Sequence, residues 1–201
     1  MANTREPILH PVPILSLRPT QMTVGMREVK EKRKRLREYW KEHKSKKKQG
    51  EFLGRHTIPV VLGPDECNYV VDHHHLARAL HDEGIEDILV TVIGDLTMVE
   101  RDAFWGVMDN KRWAYPYDAK GERRHFKDLQ KSIADLKDDP FRSLAGELRR
   151  SGGFAKDTGD CRREPGEFPR PRDVVAVYSQ HPVQDRSHPC KLRIDSNFLR
   201  S

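Results

Sequence analysis

With 201 residues, 36% of them hydrophobic and 34% charged, the chain suffices for one domain of ordinary size but is too polar for all of it to join a core. Lys and Arg outnumber Asp and Glu by 37 to 31, a net charge of +6 that favours polyanionic partners without selecting one. Three scattered cysteines, Cys67, Cys161 and Cys190, exclude a disulfide framework and a zinc ribbon and lead us to expect a reducing, cytoplasmic setting. No run approaches the ~18 apolar residues of a membrane helix, and the first residues lack a signal-type apolar stretch, so a soluble protein without membrane contact is expected.

Residues 8–18 (ILHPVPILSLR) read as a short strand that its prolines hold to an edge or lead-in position. Residues 19–25 form a loop. A helix is expected from Met26 to about Lys48, with a narrow apolar stripe of Val29, Leu36, Tyr39 and Trp40 and with 12 Lys/Arg against 4 Glu. Its end, from Lys44 to Gly50, reads as a frayed basic linker. Residues 57–63 and 69–72 read as two strands around a Gly-Pro-Asp turn at 63–65. A helix follows from His74 to Glu83, closed by Gly84. Residues 86–94 (EDILVTVIG) make the strongest strand, apolar and β-branched. Thr97–Asn110 has helical spacing through Met98, Phe104, Trp105 and Met108. An aromatic loop, Trp113 to Asp118, then runs to Gly121. Leu129–Leu136 and Pro140–Arg150 read as helices, with a turn at 151–156. This order describes a small α+β domain with its helices concentrated late. Composition shifts after about Thr158: the remainder holds 5 of the 13 prolines, and only residues 173–180 (DVVAVYSQ) read as a strand. We therefore expect a domain over 1–157 and a divergent, poorly ordered tail over 158–201.

Four constellations are candidates for carrying chemistry. In Asp72-His73-His74-His75 an apolar strand delivers a carboxylate and three imidazoles to the first turn of a helix, where unpaired N–H groups and the helix dipole favour an anion. Asp72 suits an N-cap position, and imidazoles there can donate to phosphate or move a proton near neutral pH. A capping Asp followed by exposed histidines fits equally well. A metal site is disfavoured, because adjacent helical side chains diverge by ~100° and no HxxxH pair is present. In the loop Arg18 to Gly25, Thr and Gln offer polar groups and Gly25 permits close backbone approach; a plain helix start with Thr23 as its cap explains the same residues. The basic helix 27–48 suits phosphates, although Glu28, Glu31, Glu38 and Glu42 allow i,i+4 pairing and a solvated face. The aromatic loop at 113–118, followed by Arg123 and Arg124, suits either base stacking or anchoring in the core; anchoring is preferred for Trp113.

The strand–Asp–His–His–helix segment resembles the signature box of the ParB/sulfiredoxin superfamily, in which a strand ends in a D-G-H-x or G-x-[HR]-R turn opening a phosphate-holding helix. Asp72, His74 and His75 match the polar positions; His73 stands where glycine is frequent, and Leu76 where some members carry arginine. LRPTQMTVGMREVKEKRKRL, GDLTMVERDAFWGVMDNKRWAYPYD and DDPFRSLAGELRRSGGFAK resemble the ParB-like nuclease branch, so that about residues 8–157 are covered.

The resemblance implies a small ParB/sulfiredoxin-like mixed sheet with extra C-terminal helices. It implies binding of nucleotide or nucleic-acid phosphates and action on a phosphoester or phosphoanhydride bond, with a nucleoside di- or triphosphate and Mg²⁺ as cofactors and with nucleotide and DNA as partner classes. Asp72, His74, His75 and Glu31 are then the candidate catalytic residues. Gln21, Thr23, Gly25, Lys32 and His73 are the candidate phosphate contacts. A nucleotide-dependent kinase resembling the free serine kinase, and a non-catalytic nucleotide- or DNA-binding module, are the alternatives. Superfamily membership by itself selects no reaction.

Overall fold

The computed structural model describes residues 9–151; the strand expected at 173–180 and the tail from 158 lie outside the described residues. Five strands form one mixed sheet in the order β1 (Leu9–Pro13), β6 (Asp87–Asp95), β4 (Ile58–Leu62), β5 (Asn68–Val70), β2 (Arg18–Pro19). β1 and β2, which carry Pro11, Pro13 and Pro19, lie at the edges, where prolines are best tolerated, while Pro59 sits near the start of the central strand β4. The β4–β5 hairpin turns through Pro64–Glu66, and β6 pairs parallel to β4 and antiparallel to β1. A second, two-stranded ladder joins β3 (Thr23–Val24) to β7 (Lys137–Asp138), parallel.

Side-chain alternation along the strands divides the core between the two faces of the sheet. Val60 and Val70 turn to one face and meet Val29 and Leu36 of α1 (Met26–Glu42) with Ala77 and Leu80 of α3 (His74–Asp82). Their neighbours Val61 and Tyr69 turn to the other face and meet Phe104 and Met108 of α4 (Arg101–Asn110), with Trp105 and Trp113 packed alongside. Trp113 is thus an anchor in the core. α3 ends as expected: Gly84 takes φ 76°, its N–H donates to the His81 carbonyl, and the Ile85 N–H donates to the Leu80 carbonyl.

Three expectations are corrected. The segment read as a frayed linker forms a helix of its own, α2 (Lys46–Arg55), because Phe52 and Leu53 pack against the main core and supply the apolar face that charge counting overlooked. Leu129–Leu136 contains no α-helix; it holds a short 3-10 turn at Ile133–Asp135, and another at Phe126–Asp128 precedes it. There the Ser132 side chain accepts the Ala134 N–H, and Arg78 donates to the carbonyls of Ala134 and Leu136 at 2.8 and 2.9 Å, which leaves those groups outside any helical ladder. Met98 is 95% exposed, since α4 starts only at Arg101 and residues 95–99 turn on the Asp95 carboxylate, which accepts from Thr97.

Candidate anion-binding seam

The three helices α1, α3 and α5 (Pro140–Arg150) begin beside one another, and Gly25 is their meeting point. The Gly25 N–H donates to His75 Nε2 at 2.9 Å. A Cβ built on Gly25 would lie 2.5 Å from Ser143 Oγ and 2.7 Å from the Ser143 backbone nitrogen. The glycine therefore serves the close approach of α1 to α5. Gly25→Ala is expected to destabilise the fold by about 1–3 kcal/mol through overpacking, as a lowered denaturation midpoint at unchanged m-value will report.

β3–β7 pairing brings α5 to this place. The Asp139 N–H donates to the Val24 carbonyl, Asp139 Oδ1 accepts the Phe141 N–H as the α5 cap, and Asp138 Oδ1 accepts the Met26 N–H at the start of α1. Three N-terminal dipole ends thus face one region, a field that favours negative charge.

His74 is buried, at 4% exposure. Its Nε2 accepts the Thr20 N–H at 3.2 Å, while the Thr20 hydroxyl donates to the Val70 carbonyl at 2.5 Å. Burial, then the positive Arg142 and the neighbouring His75, push the imidazole down to about 3, against the opposing pull of Asp72. His74 is accordingly a neutral acceptor that ties β2 to the head of α3. His75 Nε2 accepts the Gly25 N–H and lies 3.8 Å from Glu28 Oε2.

The sequence reading overlooked Arg142. Its Nε donates to Thr23 Oγ1 at 2.9 Å and one terminal nitrogen to Gln21 Oε1 at 3.3 Å; the Tyr115 ring covers the guanidinium at 4.5 Å. The side chain is 13% exposed, and Asp139 is 3.9 Å away. Burial lowers its affinity for its proton, partly offset by Tyr115 and Asp139. Its Nη2, with the neighbouring Gln21 Nε2 and Ser143 Oγ, is buried and has no hydrogen-bond partner among the described residues. Arg142 lies inside a block that carried the family resemblance, yet nothing local marks it, because its partners are about 120 residues away.

The candidates of the sequence reading thus separate. Gln21, Thr23, Gly25, His74 and His75 converge with Arg142 and Ser143. Asp72 and His73 are exposed just outside: Asp72 is not the cap, since its Oδ1 accepts the N–H of His73, which holds the cap position in left-handed backbone at φ 65°. That φ explains why glycine suits this place in the superfamily turn. His73 Nδ1 instead meets the Thr57 carbonyl at 3.2 Å. Lys32 pairs with Glu28 at 3.6 Å, and Glu31 is exposed on α1, outside the seam.

A family model described as "Putative ParB-like nuclease" matches residues 10–162. The chain belongs to the ParB-like nuclease family. All of the seam falls within the matched span. The crystal structure of protein Atu1540 from Agrobacterium tumefaciens is similar to this ParB-like chain at 45% sequence identity and a TM-score of 0.67, over 77% of this chain and 75% of that one. None of the curated proteins matches. No helix among the described residues of this family member is long and apolar enough to cross a membrane.

Proposed function

We propose that the seam binds a phosphate group of a nucleotide or nucleic acid, and that this ParB-like nuclease domain acts on the phosphoester or phosphoanhydride bond held there. One observation carries the reading: Arg142 Nη2 and Gln21 Nε2 are buried donors without an acceptor among the described residues, and the only counter-ion of Arg142 there stands off at 3.9 Å. Buried donors demand an acceptor, and a phosphate oxygen supplies both acceptor and charge. Arg142 then neutralises charge on the phosphoryl oxygens, Gln21 donates beside it, and Thr23 orients the guanidinium. His74, neutral and engaged, holds the turn.

The Mg²⁺ expected with a nucleotide is held largely by its phosphates and needs few ligands from the described residues. They contain no group of three or more His, Cys, Asp or Glu side chains suited to a metal, and Asp139 is engaged by Phe141 and Arg142.

The test is a thermal-shift series with inorganic phosphate, pyrophosphate, nucleoside triphosphates and short oligonucleotides. A ligand at 100 times its Kd stabilises by about 2.7 kcal/mol, several degrees in Tm for a domain of this size. A folded protein that shifts with none of them overturns the reading.

A further inference from the structure

Charge in this chain is segregated. Residues 26–55, which make α1 and α2, hold 13 Lys/Arg against 5 Glu, a net +8 that exceeds the +6 of the whole chain. The remaining described residues, 9–25 and 56–151, hold 14 Lys/Arg against 18 Asp/Glu and are net acidic. The fold draws one of these glutamates, Glu28, inward, where it meets Lys32 and approaches His75, and pairs two of the arginines, Arg33 and Arg37, with Glu83 beyond α3. Lys30, Lys34, Lys41, Lys46, Lys47 and Lys48 are exposed or nearly so, and among the described residues none of them is in an ion pair.

We propose that the outer face of α1 and α2 docks the sugar-phosphate backbone of a nucleic-acid duplex without reading its sequence. α1 alone extends about 25 Å at 1.5 Å per residue, and a duplex offers a negative charge about every 1.7 Å of its axis, so several phosphates fall within reach of this face. A membrane surface fits less well. Interfacial helices bury an apolar face in lipid, but Val29 and Leu36 are already committed to the core. Single strands fit less well also, because they need open aromatic platforms. Here Tyr39 stacks on His43 at 4.2 Å and Phe52 on His56 at 4.2 Å. The inference rests on charge placement and not on the seam.

The test is fluorescence anisotropy of a labelled duplex of ~20 base pairs, titrated with the full chain across about 50 to 200 mM salt. Wild type should bind with a log–log salt slope of roughly −0.9 per phosphate neutralised. The triple variant Lys46→Gln/Lys47→Gln/Lys48→Gln should bind about tenfold or more weakly at the low-salt end, with a slope smaller by about 2–3. Glutamine keeps helix propensity close to that of lysine, and a second triple, Lys30→Gln/Lys34→Gln/Lys41→Gln, should reproduce the loss should α2 melt in the first. Unchanged affinity and slope in both triples overturn the proposal. So does tighter binding to a single strand of equal length, or capture by anionic phosphatidylserine vesicles in place of duplex. Failure of the seam appears separately, as absence of a thermal shift with inorganic phosphate.

Discussion

Arg142→Met is expected to abolish the stabilisation that phosphate ligands give, while the chain still folds. Methionine approximates the length of the arginine stem and removes the cation. Removing one partner of a buried, charge-assisted contact costs about 2–5 kcal/mol in binding, at least about thirtyfold in affinity. The fold should tolerate the change. The guanidinium is already incompletely satisfied, with Nη2 unpaired and Asp139 at 3.9 Å, and replacing poorly compensated buried charge by an apolar side chain is often close to neutral. The Asp139 carboxylate retains the Phe141 N–H at the head of α5. Arg142→Lys distinguishes charge from geometry. A lysine carries the charge but cannot span Thr23 and Gln21 with a planar fork, so its affinity should fall between wild type and methionine. Isothermal titration with the ligand that shifts wild type most gives both numbers. Equal affinity in wild type and Arg142→Met would remove Arg142 from the site.

A second large effect concerns pH. His74 is held near 3 in the folded protein and titrates near 6.5 when unfolded. The folded state therefore binds fewer protons than the unfolded state between these values. The stability that this provides is complete above about pH 6.5 and is lost as pH falls, by up to about 1.4 kcal/mol per unit and about 2 kcal/mol in all by pH 5. His74→Gln supplies a carbonyl oxygen for the Thr20 N–H but cannot titrate. The difference between wild type and His74→Gln in urea melts should therefore shrink by about 2 kcal/mol from pH 7.5 to 5. His74→Ala leaves both a cavity and an unpaired Thr20 N–H and should cost about 2–4 kcal/mol at neutral pH. Parallel pH profiles for wild type and His74→Gln would show that the imidazole is not held neutral.

Much of the scaffold was legible in the residues. The apolar, β-branched runs TIPVVLG and EDILVTVIG marked β4 and β6, prolines marked β1 as an edge strand, and Gly84 marked the end of α3, because each of these signals acts over a few neighbouring residues. Local signals failed where a distant partner decided the outcome. The core surface that Phe52 and Leu53 meet made a helix of a basic linker, and Arg78 drew the carbonyls around Ile133 out of a helical pattern.

The seam divides in the same way. The sequence by itself determined the turn that opens α3, the polar loop opposite it and the concentration of positive charge in residues 26–55. Only the tertiary structure decided which polar residues meet. It buried His74 as a neutral acceptor, left Asp72, His73 and Glu31 outside, and placed Arg142 between Gln21 and Thr23. The reason is that burial and charge pairing depend on strand pairing between segments more than a hundred residues apart. The β3–β7 ladder, which carries α5 to the head of α1, is two residues long on each side and has no periodicity for a sequence to display.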